Sequence, residues 1–486
     1  MHVNCTGLPL VQSASGLRDE EKSMTVVATP ELLSRFDVPG PRYTSYPTAD
    51  RFVEAFGEGD YVLALQQRRQ GAGGLASPLS VYVHIPFCQS LCYYCACNKI
   101  ITRHPERAEV YLRYLYREME LHTAQCGKGQ VISQLHLGGG TPTFLSDEGL
   151  RELMAMLRQN FTLAPGGEYS IEVDPRTVDA DRLALLAELG FNRLSFGVQD
   201  FDAEVQKAVN RIQPTEQVFS LVAAARRLGF ESINVDLIYG LPRQTPESFD
   251  RTLAQVAELR PDRIALYAYA HLPERFKPQR RIITIDLPGA PAKVSMLSRS
   301  LAAFSEAGYV YVGMDHFALP DDALAVAKRQ GRLHRNFQGY STQPDCDLIA
   351  LGVSAIGRVG ATYSQNAKTL DEYYDLLDQG RLPIVRGLAL SRDDLVRRAV
   401  IMALMCQGEL LFEPLEQAWL IDFREYFATE LERLGEMQEQ GLVHIDGESV
   451  RVTPMGWYFI RGIAMVFDRY LQADRNRTRF SRIISG

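Results

Sequence analysis

Three cysteines stand close together in the stretch HIPFCQSLCYYCACNK: Cys88, Cys92 and Cys95 are spaced C-x3-C-x2-C, and the aromatic Tyr94 immediately precedes the third. Three thiolates can hold three irons of a cubane iron–sulfur cluster and leave the fourth iron without a protein ligand. A small molecule can then bind the open iron and be reduced there. The spacing therefore indicates redox chemistry on a bound small molecule.

A zinc site is the alternative. Structural zinc normally has four protein ligands, and either Cys97 or His84 could supply the fourth beside the three cysteines. The chain has eight cysteines, four of them between positions 88 and 97, which is not the pattern of a disulfide framework. We expect the remaining four to be plain small residues: Cys5, Cys126, Cys346 and Cys406.

A second motif follows in LHLGGGTPT, residues 135–143, where an apolar segment runs into three glycines and then Thr-Pro. Backbone without side chains lets a ligand lie against the end of a strand, and exposed amides there could bind a ligand's amino or carboxylate group. A glycine triplet can also be only a tight turn. Its place at the end of the next predicted strand after the cysteines favours a ligand contact.

Apolar runs typical of buried strands alternate with amphipathic stretches of helical length, which implies parallel strands joined by crossover helices. The predicted strands are Ser80–Ile85, Val131–Leu137, Tyr169–Val173, Arg193–Val198, Ser232–Leu237 and Arg263–Tyr269. The clearest predicted helices are Asp147–Asn160, Asp181–Leu189, Glu216–Leu228 and Pro246–Leu259. Six such units are too few for an eight-stranded barrel. We therefore predict an α/β fold, a partial (β/α)6 TIM-like barrel.

Candidate site residues recur on or after the ends of these strands. Glu172 ends the third strand, Gln199 ends the fourth, Asp236 lies on the fifth and Ala270 follows the sixth. Taken alone, a charged residue such as Glu172 or Asp236 is more often part of a structural ion pair. Ligands of such barrels gather at the carboxyl ends of the strands, so the shared placement predicts a binding site there.

Outside the barrel, residues 1–35 lack periodic apolar positions, and we predict a flexible N-terminal extension. Residues 36–78 form an N-terminal segment, 79–386 a catalytic domain and 387–486 a mostly helical C-terminal domain with a winged-helix-like element, whose hairpin turns at Asp446-Gly447. A winged helix can bind DNA, but only a few arginines are available for a basic face. The last of them could meet an anionic ligand or face solvent: Arg475, Arg477, Arg479 and Arg482.

The overall composition is that of an ordinary globular protein. The chain of 486 residues is 46% hydrophobic and 23% charged, with a net charge of -7. No window has the roughly twenty apolar residues of a membrane span, and the first residues do not resemble a secretory signal. We therefore expect a cytoplasmic protein with no membrane and no nucleic-acid partner.

Nine motifs in their order along the chain resemble those of oxygen-independent coproporphyrinogen III oxidases, which are radical S-adenosylmethionine (SAM) enzymes of anaerobic heme biosynthesis. The motifs are PRYTSYPTA, YVHIPFC, CYYCACNK, LHLGGGTPT, SIEVDPR, FNRLSFGVQD, NVDLIYGLPRQTPESF, GMDHFA and HRNFQGY. The resemblance covers nearly the whole chain from Pro41 onward. Tyr94 and Ala96 stand where the family often has Phe and Gly, and both changes preserve the ring or the small size.

The resemblance implies oxidative decarboxylation of two propionates of coproporphyrinogen III to vinyl groups, giving protoporphyrinogen IX, with one SAM consumed in each step. It implies one 4Fe-4S cluster on Cys88, Cys92 and Cys95, two bound SAM molecules, and no iron on Cys97. The positions around the first SAM are Tyr82, Gly139, Glu172 and Ile356. Those around the second are Tyr94, Gly140, Thr141, Gln199, Arg211, Asp236 and Ala270.

The same resemblance implies coproporphyrinogen III as substrate, a reduced flavodoxin or ferredoxin-like electron donor, and a monomer. Arg42, Arg335 and the C-terminal arginines are candidates for binding the propionates. PRYTSYPTA, within the 36–78 segment, is either a lid over the substrate or a Pro-rich connector.

Two rival functions stay open. A related heme chaperone keeps the cluster motif, but typically lacks PRYTSYPTA and a cysteine at the position of Cys97, and this chain has both. A zinc-containing DNA-binding regulator would use the winged-helix-like element.

Overall fold

The computed structural model describes residues 29–71, 79–473, 480 and 482. The chain divides into two compact units. The first unit contains Met1–Pro47, Gly289–Asp345 and Arg392–Gly486, and the second contains Thr48–Pro288 and Cys346–Ser391. Residues 289–345, which the sequence analysis includes in the catalytic domain, thus belong to the same compact unit as the C-terminal residues.

The strands and helices are numbered in chain order. The strands of the described residues are β1 (Leu79–Ile85), β2 (Phe87–Cys88), β3 (Ile100–Ile101), β4 (Gln130–Gly139), β5 (Phe161–Val173), β6 (Arg193–Gln199), β7 (Ser232–Tyr239), β8 (Arg263–Ala268), β9 (Val310–Gly313), β10 (His316–Ala318), β11 (His334–Asn336), β12 (Gly339–Ser341), β13 (Asp347–Leu351), β14 (Ile356–Val359), β15 (Thr362–Asn366), β16 (Ile384–Ala389), β17 (Glu409–Leu411), β18 (Val443–Ile445) and β19 (Ser449–Val452). The α-helices are α1 (Pro30–Arg35), α2 (Glu58–Gln70), α3 (Glu106–Cys126), α4 (Asp147–Asn160), α5 (Ala180–Glu188), α6 (Ala203–Ala208), α7 (Thr215–Arg227), α8 (Pro246–Leu259), α9 (Ala290–Glu306), α10 (Ala323–Arg329), α11 (Leu370–Asp378), α12 (Arg392–Gln407), α13 (Phe412–Trp419), α14 (Phe423–Tyr426), α15 (Ala428–Glu439), α16 (Ile460–Met465) and α17 (Arg469–Ala473).

The second unit is built on a mixed sheet whose strands follow the order β16-β15-β14-β13-β1-β4-β5-β6-β7-β8. Each pair from β1 through β8 in this order is parallel. These are the six predicted strands, and helices α3, α4, α5, α7 and α8 lie between them in the chain, so the predicted α/β arrangement of parallel strands and crossover helices is confirmed. The strands are apolar runs because parallel strands are covered on both faces, as the almost fully buried β1 illustrates.

On its other side, β1 continues the sheet with four strands that are not among the six predicted ones. β13 pairs with β1 in parallel, and β14, β15 and β16 follow in antiparallel pairs. β13 is a short apolar run, DLIAL, whereas β15 buries Ser364, Gln365 and Asn366. A strand that buries polar side chains has no apolar alternation in its sequence, which is why the pattern missed it.

Local signals place the crossover helices. The Ser146 side chain accepts a hydrogen bond from the Gly149 amide at the start of α4. Thr245 and Ser248 form a reciprocal capping box before α8, with Pro246 at its first position. These groups satisfy amides that a helix start leaves without intrahelical partners, so both helices begin where the sequence predicts.

The first unit has its own apolar core, made largely by α12, α15 and α16 with the sheet β17-β19-β18. β18 and β19 pair antiparallel around Asp446-Gly447, which confirms the predicted hairpin. The Asp446 carboxylate accepts hydrogen bonds from the Glu448 and Ser449 amides and so fixes the turn.

The segment 36–47 contributes two tyrosines to this core. Tyr43 and Tyr46 are fully buried, and the Tyr43 hydroxyl donates to Asp468 Oδ2 at 2.9 Å. The Arg42 guanidinium pairs with Asp315 at 3.0 Å.

The prediction of a flexible extension over residues 1–35 is wrong at the C-terminal end of that segment, which is helical. Residues 30–35 form α1, and Leu33 is only 1% exposed because it packs into the core of the first unit. A single turn and a half of helix with one buried leucine is too short for periodicity to reveal. Residues 1–28 lie outside the described residues, as do Arg475, Arg477 and Arg479, whereas Arg482 donates to the Asp37 carbonyl oxygen at 2.6 Å.

Within the described ranges, no helix combines the length and the apolar character that a membrane crossing requires.

Candidate functional site

The cysteine loop begins where β1 ends and is closed by short backbone pairing. β2 and β3 are parallel, and the Ile100 amide donates to the Pro86 carbonyl oxygen at 2.7 Å. Cys88 and Cys92 are buried, Cys95 is half-buried and Cys97 is exposed. The three predicted cluster ligands are therefore presented by one folded loop.

The thiols of Cys88 and Cys95 have pKa values shifted in opposite directions. Burial raises the pKa of Cys88 to about 11. A hydrogen bond from the Cys97 side chain lowers the pKa of Cys95 to about 6, against the opposing effect of burial, with help from the Lys99 ammonium. The Lys99 Nζ also donates to the Cys95 carbonyl oxygen at 2.9 Å. Thiolate formation, which iron or zinc binding requires, is thus easier at Cys95 than at Cys88.

His84 is not free to serve as a fourth metal ligand. Its Nε2 lies 3.0 Å from the Asn98 carbonyl oxygen, which can only accept, so Nε2 carries the proton. Nδ1 then accepts from the Tyr82 hydroxyl at 3.0 Å. Burial lowers the pKa of His84, which keeps the ring neutral with both nitrogens engaged. No group of three or more His, Cys, Asp or Glu side chains in the described part of the chain has the arrangement of ligands to a single metal ion.

The glycine triplet packs against this loop. Gly139 has φ +117°, and a Cβ atom there would lie 2.6 Å from the His84 ring. A Cβ on Gly140 would lie 2.6 Å from the Pro86 carbonyl oxygen. Side chains are therefore excluded at both positions by the close approach of β4 to the cysteine loop.

The amides of the triplet differ from the expectation. We predicted exposed amides, but the Gly139 amide donates to Glu172 Oε2 at 3.0 Å and the Gly140 amide donates to the Ile85 carbonyl oxygen at 2.8 Å. A strand that runs into glycines keeps its ladder partners, and a neighbouring carboxylate takes the next donor. The Thr141 hydroxyl of the same motif donates to the Cys88 sulfur at 3.4 Å.

Side chains from β1, β4 and β5 meet on one face of the sheet. Tyr82 is registered with His136, and their rings stack with centroids 5.9 Å apart. His136 Nε2 lies 3.3 Å from Glu172 Oε1. The Glu172 side chain is 43% exposed, so one carboxylate at the strand ends remains open to a ligand.

Asp236 is a half-buried carboxylate within β7, the strand next to β6 in the sheet. It accepts hydrogen bonds from the Ser195 hydroxyl at 3.1 Å and the Asn234 amide at 2.9 Å. Burial raises its pKa to about 6, and the negative charge of Glu172 adds to the effect. A cationic or hydroxyl-bearing ligand between the two acids would relieve this repulsion.

The sequence analysis missed the two residues that accompany Arg211. Arg211 Nη1 lies 3.1 Å from Asp174 Oδ2, and Arg176 Nη2 lies 2.6 Å from the same oxygen. Both guanidinium groups also donate to the Cys92 sulfur at 3.5 Å. We call Asp174, Arg176 and Arg211 the arginine cluster.

The two guanidinium groups of the arginine cluster change the pKa of Asp174. Burial alone would raise the pKa of Asp174, but the Arg211 and Arg176 guanidinium groups outweigh it and hold that pKa below its usual range. Two cations against one carboxylate leave positive charge beside the Cys92 sulfur. The signal in the sequence was the tripeptide Asp-Pro-Arg directly after the third strand, two residues beyond Glu172.

The other predicted contacts also lie at strand ends. Gln199 ends β6 with φ +69°, and Ile356 begins β14, where it pairs with Gln365. Gln279, which the sequence analysis did not single out, is 2% exposed and donates to the carbonyl oxygens of Tyr94 at 3.0 Å and Ala270 at 3.1 Å. A buried amide thus ties the cysteine loop to the end of β8.

The donor set fits an iron–sulfur cluster. Three thiols stand on one loop, and the guanidinium groups at Cys92 with the ammonium of Lys99 can offset the negative charge that three thiolates and a cluster carry. The chain offers no fourth ligand from His84. The structure therefore brings together the residues for which the sequence predicted cluster chemistry, and adds cations to them.

Comparison with known proteins agrees with this site. The Radical SAM superfamily matches residues 82–256, and the HemN C-terminal domain matches residues 390–459. The oxygen-independent coproporphyrinogen III oxidase of Pseudomonas aeruginosa is 53% identical over 456 residues, which are 93% of this chain and 98% of that protein. The protein of the same name from Escherichia coli is 49% identical over 453 residues, which are 93% of this chain and 98% of that protein.

A solved structure gives the same result. It is described as coproporphyrinogen III oxidase (HemN) from Escherichia coli, a radical SAM enzyme, and matches with a TM-score of 0.85 and 50% identity, covering 88% of this chain and 97% of that one. With identity near one half along almost the full length of these relatives, and the cysteine loop folded at the ends of the parallel strands, the chain belongs to the family of oxygen-independent coproporphyrinogen III oxidases, radical SAM enzymes of heme biosynthesis.

Proposed function

We propose that this chain oxidatively decarboxylates two propionate side chains of coproporphyrinogen III to vinyl groups and so produces protoporphyrinogen IX. One observation carries the proposal: the loop with Cys88, Cys92 and Cys95 is folded against the ends of the parallel strands, with two guanidinium groups on the Cys92 sulfur. Family membership supplies the substrate. When bound, a reduced 4Fe-4S cluster and SAM supply the radical that removes a hydrogen atom from the propionate.

The chain's own residues bind and orient. In this proposal Cys88, Cys92 and Cys95 hold the cluster, and Cys97 holds no iron. Tyr82, Gly139, Glu172 and Ile356 surround a first SAM, and a second is surrounded by Tyr94, Gly140, Thr141, Gln199, Arg211, Asp236 and Ala270. The carboxylates of Glu172 and Asp236, both half-buried, suit the ammonium and ribose hydroxyls of SAM.

Arg211 suits the carboxylate of SAM. It is buried, and it already donates to Asp174 Oδ2 at 3.1 Å and to the Gly197 carbonyl oxygen at 2.5 Å. A carboxylate ligand would exchange with the Gly197 carbonyl, a neutral acceptor, while Asp174 keeps Arg176 as a partner. The arginine cluster thus has two cations and only one carboxylate, so one positive charge can pair with a ligand.

For the substrate propionates, Arg335 is a stronger candidate than Arg42. Arg335 is 5% exposed, stacks at 4.6 Å on the Tyr340 ring, and its Nε and Nη1 have no hydrogen-bond partner among the described residues. Arg42 already pairs with Asp315. A buried cation without an anion is costly, and a carboxylate of the substrate would pair it.

The remaining parts of the proposal rest on the family resemblance. PRYTSYPTA acts as a lid, a reduced flavodoxin or ferredoxin-like protein donates the electron, and the chain works as a monomer in the cytoplasm. The functional segments are 36–78, 79–386 and 387–486, after an extension up to residue 35.

An anaerobic assay tests the function. Protein reconstituted with iron and sulfide is mixed with reductant, SAM and coproporphyrinogen III, and both vinyl product and 5'-deoxyadenosine are measured. We expect both products from the native chain and neither from Cys92→Ser, which also loses cluster iron.

Cys126→Ser is the matched control, because Cys126 is equally buried at the end of α3 but lies outside the loop. It should keep its iron and its activity. Release of 5'-deoxyadenosine without any vinyl product would retain the radical chemistry and reject the substrate.

A further inference from the structure

A carboxylate in the middle of α3 is buried among neutral hydrogen-bond donors. Glu118 has 0% exposure, and its two oxygens accept three hydrogen bonds. Oε2 accepts from the Gly352 amide at 2.7 Å and from the Tyr373 hydroxyl at 2.6 Å. Oε1 accepts from the Asn366 side-chain amide at 2.6 Å. All three donors lie far from α3 in sequence, in the segment that begins with β13.

The donors belong to one short turn and its supports. Asn366 also donates to the Gly352 carbonyl oxygen at 2.8 Å, so both backbone groups of Gly352 are fixed by the same two side chains. Gly352 has φ +100°, and a Cβ there would lie 2.3 Å from the Tyr111 hydroxyl. The turn between β13 and β14 is therefore held in a left-handed conformation pressed against α3.

Tyr111, two turns before Glu118 on α3, connects the turn to the cysteine loop. Its hydroxyl accepts from the Val353 amide at 3.0 Å and donates to the His84 carbonyl oxygen at 2.7 Å. His84 is the residue whose ring packs on Gly139 and whose backbone leads directly to Cys88. Helix α3 thus binds the backbone at two places: the carboxyl end of β1 at His84, and the turn after β13 at Gly352 and Val353. We call Glu118, Tyr111, Gly352, Asn366 and Tyr373 the α3 cluster.

We propose that Glu118 is a positioning residue for SAM: through the α3 cluster it fixes the Gly352–Ile356 turn, and with it the backbone at Ile356 where the first SAM binds. This inference rests on the proposed function for the contact between Ile356 and SAM. Glu118 itself touches neither SAM nor the cluster in this proposal. Its contribution is a preformed turn that SAM does not have to order on binding.

The variant Glu118→Gln tests this proposal. The side chain keeps its size, but one oxygen that accepts hydrogen bonds becomes an NH2 group that faces other hydrogen-bond donors. If the amide nitrogen of the new side chain took the place of Oε2, it would face the Gly352 amide, a backbone donor that cannot reverse. If it took the place of Oε1, it would face Asn366, whose amide nitrogen is also needed by the Gly352 carbonyl. Either orientation of the new side chain leaves a buried donor without an acceptor.

The first measurement is amide hydrogen exchange of the chain without cofactors. We expect peptides covering residues 352–356 to exchange roughly tenfold faster in Glu118→Gln, as loss of one buried hydrogen bond implies. Tyr373→Phe removes one donor and leaves the carboxylate, so a smaller change in the same direction is expected. This second variant keeps the test decisive if Glu118→Gln does not fold.

Thr123→Val is the matched control on the same helix. The Thr123 hydroxyl is buried and donates to the Met119 carbonyl oxygen and to Asn160 Oδ1, away from the turn. This variant should leave exchange at residues 352–356 unchanged. Equal acceleration in Thr123→Val and Glu118→Gln would mean that α3 acts only as structural support, and would overturn the proposal.

The second measurement is SAM binding to anaerobically reconstituted protein. We expect the dissociation constant and the KM for SAM to rise about tenfold in Glu118→Gln while iron content and kcat stay near the native values. Unchanged SAM affinity, or loss of iron in parallel with affinity, would contradict a positioning role. If the native protein binds SAM and shows these differences but yields no vinyl product, the inference stands and the proposed substrate fails.

Discussion

Two clusters of polar groups in the second unit each contain a carboxyl group, and the pKa values of these two groups are shifted in opposite directions. In the arginine cluster, Asp174 is held by two guanidinium groups, and its pKa lies below the usual range. In the α3 cluster, Glu118 meets only neutral donors, and burial raises its pKa to about 7 although three hydrogen bonds oppose the shift. Burial is similar, so the partners decide the charge state.

These different partners indicate which of the two clusters can bind a ligand. The arginine cluster has more cations than carboxylates, so an incoming anion can replace a neutral acceptor without leaving any charge unpaired. The α3 cluster has one acceptor group for three donors and nothing to exchange. We therefore assign binding to the first and positioning to the second.

The largest effect should follow from removing a cation of the arginine cluster. Arg211→Met retains the volume of the side chain but leaves Asp174 with Arg176 alone, and we expect SAM affinity to fall roughly 100-fold, as truncating a buried charged partner does. Equilibrium binding of SAM to the reconstituted variant measures it.

Arg226→Met provides the control for that variant, since Arg226 forms a partly exposed ion pair with Asp262 on the outside of the same unit. Native affinity in Arg211→Met, or an equal loss in Arg226→Met, would break the distinction between the two clusters.

A smaller effect should appear in the pH dependence of stability. The pKa of Glu118 is raised in the folded chain, so its protonated form stabilises the fold fully below about pH 4.5, and this contribution is lost as pH rises through about 7. We expect the free energy of unfolding of the native chain to fall by about 1–3 kcal/mol over this window relative to that of Glu118→Gln.

The groups that face Glu118 do not titrate in that window. Burial raises the pKa values of Tyr61, Tyr111 and Tyr373 and lowers that of His122 to about 4, so all four stay neutral between pH 5 and 8. Denaturant unfolding of both proteins at pH 5, 6, 7 and 8 gives the comparison. Parallel pH profiles would show that Glu118 does not titrate there, and would weaken the contrast with Asp174.

The smallest effect concerns Asp236, which lies between the two extremes because it has neutral donors and a carboxylate neighbour. The hydrogen bond that the Ser195 hydroxyl donates to Asp236 lowers the pKa of that carboxyl group. Ser195→Ala removes this hydrogen bond, so we expect the pKa of Asp236 to rise above about 6. If ionised Asp236 binds SAM, affinity falls as pH drops through this pKa, and the midpoint of that fall should move up by roughly half a unit to one unit. SAM binding titrated from pH 5 to 8 measures the midpoint, and an unchanged midpoint would remove Asp236 from the binding groups.

The sequence predicted the parts of this picture that depend on local pattern. The six parallel strands, their crossover helices and the order of residues at their ends follow from apolar periodicity, which burial on both faces imposes. The cysteine loop follows from spacing alone. Glu172 and Gln199 were placed at strand ends for the same reason, and the structure has them at the ends of β5 and β6. Asp236 was placed on the fifth strand, and it lies within β7.

What the sequence could not predict depends on pairing between distant residues. The bond from Arg211 to Asp174 and the bonds from Glu118 to Gly352 and Asn366 form only when the sheet has brought these segments together. Glu118 sits in a helix with several charged neighbours, so nothing local distinguishes it from a solvated glutamate. The engaged amides of Gly139 and Gly140 were missed for the same reason, since their acceptors lie on neighbouring segments.

The pairing of β13 with β1 bears on how the chain must be synthesised and folded. Leu79 is registered with Asp347, and the first unit contains three separate stretches of the chain, from its start, middle and end. Neither unit can therefore be complete until most of the polypeptide has left the ribosome. Such non-local topology folds slowly and exposes unpaired strand edges in the meantime, so yield in a cell should depend on chaperones and on growth temperature more than for a protein whose domains follow one another along the chain.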